Sequence, residues 1–157
     1  GYGLEVGLVE EISRLNNVIG LKDSSGSLQY IMEVTRVLGR DLSVLVGYDE
    51  ITIPALMFGA KGAILASANV IPEVLVEAYE KVISGDYEGA LSIHERIYEL
   101  TRIIARYGGI LPAKLGLKVR GLDVGPARSP LKACDLLKAE ISNSIGMAVK
   151  MALSSTP

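Results

Sequence analysis

The chain has 157 residues, 49% of them hydrophobic, with 16 basic and 18 acidic side chains and a formal net charge of -2. That composition excludes disorder, which needs low hydrophobicity and high net charge, and there is no basic stripe or aromatic-basic run to bind nucleic acid. A lone cysteine, Cys134, rules out an internal disulfide framework and fits a reducing cytosol, and one cysteine with one histidine leaves no classical zinc set. No apolar stretch nears the roughly 20 residues that span a bilayer. The start, GYGLEVGLVEE, lacks the basic region and long apolar core of a signal peptide. A cytoplasmic protein with no membrane partner is expected.

The elements follow in chain order. Leu4, Leu8, Ile12 and Leu15 recur at helical spacing. VIGL (18–21) reads as a buried strand with Lys22 at its end. Ser27 is placed to cap a helix whose apolar face is Leu28, Ile31, Met32, Thr35 and Leu38, with Gly39 ending it. SVLV (43–46) is a second strand. Asp49 and Glu50 fall where a helix N-terminus favours negative charge; Pro54 suits a first turn, and Gly59 closes that helix. GAIL (62–65) is a third strand. Pro72 opens a helix running to about Ser84, before Gly85. From Tyr87 to Tyr107 there is one long helical pattern; GGILPAK breaks it, LGLKVRGL gives a short helix, DVGPARSP a loop, and Leu131 to Leu153 a last helix.

Strand and helix thus alternate three times, which predicts a parallel sheet. The strands are continuous apolar runs, as in sheets buried on both faces. Residues 1–86 form this strand-containing part, and 87–157 a helical region.

Ligands of parallel α/β folds bind at the C-terminal ends of the strands. Lys22, the segment Gly47 to Glu50, and the segment Leu65 to Asn69 occupy three such ends. A lysine amine is nucleophilic only when unprotonated, and burial disfavours the charged form. An activated amine condenses with a ketone to an imine, which serves as an electron sink. Lys22 also suits a plain structural role, snorkelling from the strand end to pair with Asp23. Asp49 and Glu50 serve as substrate ligands or as helix N-terminal charges. Ser24 is assigned to turn chemistry, and Ser25 is open to turn or ligand. His94 reads as a helix-surface residue, and Glu10–Glu11 as a solvated face. GYGLEVG lacks the spacing and preceding strand of a dinucleotide loop, and GAKGAILAS lacks the Lys-Ser/Thr pair of a phosphate loop.

The string GLKDSSGSL resembles the Schiff-base motif of the dihydrodipicolinate synthase / N-acetylneuraminate lyase family. VLVGYDE, GAKGAILASANVIPE, EGALSIHERIYEL and LPAKLGLKVRGLDVGPARSPL resemble later family segments in the same order, so the resemblance covers nearly the whole chain. It implies an α/β fold, the C-terminal part of a (β/α)8 barrel with about three strands and a helical extension. It implies a lyase, a class I aldolase in which Lys22 forms a Schiff base with pyruvate or a related 2-oxo acid, without metal or cofactor. Gly47, Asp49, Glu50, Leu65 and Ala66 fall where the family lines its substrate pocket.

GYDE is similar to the neuraminate lyases, but those carry serine at Ala66, and the synthases often carry one at Leu65. A third subclass, acting on 2-keto-3-deoxy sugar acids, therefore stays open beside the dihydrodipicolinate synthase-like one. So does a non-catalytic half barrel used for binding or assembly. A whole barrel takes about 250 residues. The family's carboxylate-holding loop and proton-shuttling tyrosine belong to its N-terminal half, and Tyr2 is not that tyrosine's equivalent. The expectation is a C-terminal half: a fragment, a truncated gene, or one piece of a two-chain assembly. Its expected partners are a 2-oxo acid, an aldehyde, and either further copies of itself or the missing half on another chain.

Overall fold

A computed structural model of the chain describes residues 3–39, 42–132 and 135–154; Tyr2 and Cys134 lie outside the described residues. The elements are α1 (Val6–Ser13), β1 (Gly20–Asp23), α2 (Leu28–Leu38), β2 (Ser43–Val46), a 3-10 turn (Asp49–Ile51), α3 (Thr52–Met57), β3 (Gly62–Ala63), a second 3-10 turn (Ser67–Asn69), α4 (Pro72–Ser84), α5 (Tyr87–Arg106), α6 (Ile110–Val119) and α7 (Asp135–Leu153). They fall into two compact units, Gly1–Leu65 and Ala66–Pro157.

In the first unit the three strands form the expected parallel sheet, ordered β1-β2-β3. Lys22 lies opposite Leu45, and Leu45 opposite Gly62. Ser27 caps α2, its Oγ accepting from Tyr30 N–H at 3.1 Å. Such a cap stabilises a helix by about 1 kcal/mol. The helix buries Ile31 and Val34, and α3 buries Ile53 and Ala55. Gly59, at φ 104°, ends α3 in a conformation that a side chain rarely adopts.

Three expectations change here. β1 starts two residues later than VIGL, because Val18 N–H still bonds back to Leu15 O at 3.0 Å in the turn after α1. Lys22 is therefore the third of four strand residues, not one beyond the end. The strands are not buried on both faces within this unit. Val44 (2% exposed) and Val46 (0%) point under the helices, while Ser43 and Lys22 on the other face are exposed. Strand side chains alternate between faces, so the apolar run hid a two-sided strand. Of the stripe on α1, Leu4, Leu8 and Leu15 are exposed and Ile12 is half-buried; Val9 is the buried residue.

The second unit is helical. Pro72 stands in the first turn of α4, and Gly85 closes it at φ 84°. On α5, Ala90, Ile93, Ile97, Leu100 and Ile104 follow a three- and four-residue spacing and are all buried. Ile141, Ile145, Ala148 and Ala152 do the same on α7. GGILPAK does not merely break the helical pattern. Gly108 and Gly109, at φ 74° and 76°, turn the chain, and α6 starts at once with Ile110. Pro112 is tolerated because first-turn N–H groups have no helical acceptor. A Cβ on Gly116 would overlap Val70, so α6 approaches the 67–70 turn closely. Arg120 ties the two, donating to Val70 O at 2.6 Å and pairing with Glu73 at 2.7 Å. The last helix starts at Asp135; Leu131 and Lys132 precede it.

Candidate functional site

Lys22 projects from the uncovered face of β1. The residue that shapes its surroundings is Gly47, just past β2. Gly47 N–H donates to Asp23 O at 2.6 Å, which closes the strand end. A Cβ on Gly47 would overlap Lys22 Cε and Ser24 Oγ. Glycine is thus required by close approach, not by an unusual φ. It lets the lysine stem and the Ser24 hydroxyl share one spot above the strand ends.

Asp49 and Glu50 follow in the first turn of the 3-10 segment. Asp49 is buried and Glu50 half-buried. Thr52 Oγ1 donates to Tyr48 O at 3.1 Å and steadies that turn. Leu65, two residues after β3, is buried. Ala66 begins the other unit, half-buried, and a Cβ on Gly109 would stand 3.3 Å from its own. The first unit therefore brings Lys22 and Gly47 into contact and sets Asp49 and Glu50 just beyond. Ala66 belongs to the second unit.

The Lys22–Asp23 pair of the structural reading is absent among the described residues. Neighbours along a strand point to opposite faces, and Asp23 turns inward, 9% exposed. Its carboxylate accepts from Ser25 N–H at 3.2 Å and Ser25 Oγ at 2.8 Å. Of the two readings open for Ser25 the structure shows the turn one, while Ser24, assigned to turn chemistry, has its hydroxyl beside the lysine stem. Alternation along KDS foreshadows Asp23's direction; nothing local in the sequence separates Ser24 from Ser25.

A cleft of about 790 Å³ lies along this part of the unit, bordered by Lys22, Asp23, Ser25, Tyr30, Leu4 and Glu5. Tyr30 OH donates to Leu4 O at 2.6 Å, fastening the segment before α1 to α2. Burial, and then the charge of Asp23, push the Tyr30 phenol above its ordinary value. His94 is less exposed than a helix-surface residue: it is half-buried, edge-on to Tyr98, and burial lowers its pKa. No helix among the described residues is long and apolar enough to cross a membrane.

Comparison with known proteins bears on the family and the fold. The model of the dihydrodipicolinate synthetase family matches residues 1–151. A DapA-like lyase of Pyrobaculum islandicum is 35% identical over 147 residues, covering 86% of this chain and 48% of that protein. The 4-hydroxy-tetrahydrodipicolinate synthase of Methanosphaerula palustris is 34% identical over 139 residues, covering 88% and 48%. The solved 4-hydroxy-tetrahydrodipicolinate synthase of Methylacidiphilum fumariolicum SolV superimposes with a TM-score of 0.87 at 25% identity, over 96% of this chain and 50% of that one. The chain spans about half the length of the curated relatives it matches, and its three parallel strands and trailing helices are the α/β part-barrel expected. By its matched residues and its fold, the chain belongs to the dihydrodipicolinate synthetase family.

Proposed function

We propose that this chain supplies the imine-forming half of a Schiff-base lyase acting on pyruvate or a related 2-oxo acid, most like a 4-hydroxy-tetrahydrodipicolinate synthase. The observation that carries it is the contact of Lys22 Cε with the space a Gly47 side chain would take. That contact sets an amine on an open strand face, over a residue without a side chain, in a family with lyases and synthases among its members.

In this chemistry Lys22 Nζ attacks the ketone carbon and water leaves, forming an iminium. A proton lost from the adjacent methyl gives an enamine, whose carbon attacks the aldehyde partner. Hydrolysis or onward cyclisation frees the lysine. Asp49 and Glu50, beyond Gly47, serve the aldehyde, and Leu65 adds to the pocket wall. Residues 1–86 then form the barrel part and 87–157 the helical part. The carboxylate-binding and proton-shuttling groups come from the N-terminal half, on the same polypeptide or on a second chain, in a cytoplasmic assembly.

GYDE, with an acidic pair past the strand end, favours a second reading within the class, an aldolase for 2-keto-3-deoxy sugar acids or N-acetylneuraminate. A non-catalytic binding or assembly module is the alternative of another class. In the complete assembly, Lys22→Ala should abolish pyruvate-dependent turnover with every aldehyde tried. Glu50→Ala should impair turnover while pyruvate still forms the imine. Turnover that survives Lys22→Ala would overturn the proposal, and equal loss of both steps in Glu50→Ala would give Glu50 a folding role instead.

A further inference from the structure

Asp23 ties three separate parts of the strand end together. Its backbone carbonyl takes Gly47 N–H at 2.6 Å, joining the ends of β1 and β2. Its carboxylate takes both the N–H and the hydroxyl of Ser25. Ser25 Oγ in turn accepts from Ser27 N–H at 3.1 Å, and Ser27 Oγ caps α2 at Tyr30 N–H. One inward-facing acid thus begins a continuous run of bonds from the lysine strand to the next helix. A buried carboxylate is costly unless hydrogen-bonded, so the turn and the acid require each other.

The geometry points to Asp23 as the positioning residue for Lys22: a buried carboxylate that acts through the Ser24–Ser27 turn, holding Ser24 and Gly47 around the lysine stem. This rests on Lys22 being the imine-forming residue. Asp23 points away from Lys22, and each carboxylate oxygen already accepts a bond from Ser25. It therefore governs where the amine stands rather than moving a proton to it. Ser24 follows Asp23 directly, so slack in the turn displaces the two atoms that crowd Gly47.

The test measures borohydride trapping of pyruvate on Lys22, against pyruvate concentration, in the complete polypeptide or assembly that carries this chain. Asp23→Asn keeps the size and one acceptor oxygen but offers an NH2 group where the Ser25 hydroxyl donates. Trapping at saturating pyruvate should fall about 10- to 100-fold, since displacement by about 1 Å costs up to that much. The half-saturating concentration should stay within about twofold. Ser25→Ala, which removes the hydroxyl bond and leaves the Ser25 N–H on the carboxylate, should slow trapping in the same sense. The double variant should be no slower than Asp23→Asn, because both remove one interaction. Thermal melts establish that the variants compared are folded. Wild-type trapping rates in folded Asp23→Asn, a rise in half-saturation alone, or additive losses in the double variant would each overturn the positioning role while Lys22 stands. No trapping in the wild type would overturn the lysine assignment, and Asp23's role with it.

Discussion

The helices of Ala66–Pro157 cover one another, whereas the sheet of Gly1–Leu65 is covered on one face. Leu100, Ile104 and Ile145 in the helical unit are at most 1% exposed. In the sheet unit Val44 and Val46 are as well buried, yet Lys22 and Ser43, on the other face of the same sheet, are exposed. β1 and β3 each have one strand partner among the described residues. Stability resides where both sides of an element are packed. The groups suited to chemistry stand where packing stops, at the strand ends and on the open face. An edge strand with unpaired N–H and C=O groups also invites another chain to pair with it.

The comparison breaks most sharply at Gly47. Gly47→Ala should reduce imine trapping on Lys22 by about 100-fold or more, because the added methyl would displace the lysine stem and Ser24. Mass spectrometry of the trapped product reads this directly, and a trapping rate near that of the wild type would show that the strand end has slack. Next comes packing. In the 157-residue chain, Ile104→Ala should cost about 2–5 kcal/mol in denaturant unfolding, as core truncations do. Leu45→Ala, on the open face, should cost about 1 kcal/mol or less. Equal losses would mean that the open face is covered in solution, and light scattering would then report association.

A smaller effect concerns the caps. Ser27→Ala removes the bond to Tyr30 N–H and should cost about 1 kcal/mol.

The smallest effects are on pH dependence. The Arg120 hydrogen bond holds the Glu73 carboxyl below its ordinary 4.5. The stability that it lends the helical unit is present above that value and is lost as pH falls through the lowered one. Arg120→Ala should therefore flatten the acid limb of the stability curve below about pH 4.5. Tyr30 shifts the other way. Its stabilising share is present below its ordinary 10.0 and fades as pH rises through the raised value, so Tyr30→Phe should soften the alkaline limb of the sheet unit. Unchanged limbs would show that these groups titrate as in the unfolded chain.

Much of this was legible in the sequence because it rests on local chemistry. Ser27 announced its cap, Gly59 and Gly85 the ends of their helices, Pro72 its first turn, and the apolar spacing of α5 its buried face. The resemblance of GLKDSSGSL singled out Lys22. What stayed hidden depends on atoms brought together from distant positions. Apolar VIGL concealed both the later start of β1 and its two-sidedness, since bonding to Ser43 and Val44 decides the register. Which serine lies beside the lysine turns on the direction of Asp23, and Gly116 on the nearness of Val70, 46 positions away in the chain. GGILPAK held both a break and a helix start, which a proline in the first turn disguised.

The most direct test of the account is peptide mapping after pyruvate and borohydride treatment of the complete assembly. The account predicts a reduced pyruvate adduct on the peptide bearing Lys22, and on no other lysine of this chain. An adduct elsewhere, or none in an assembly that turns over, would contradict it.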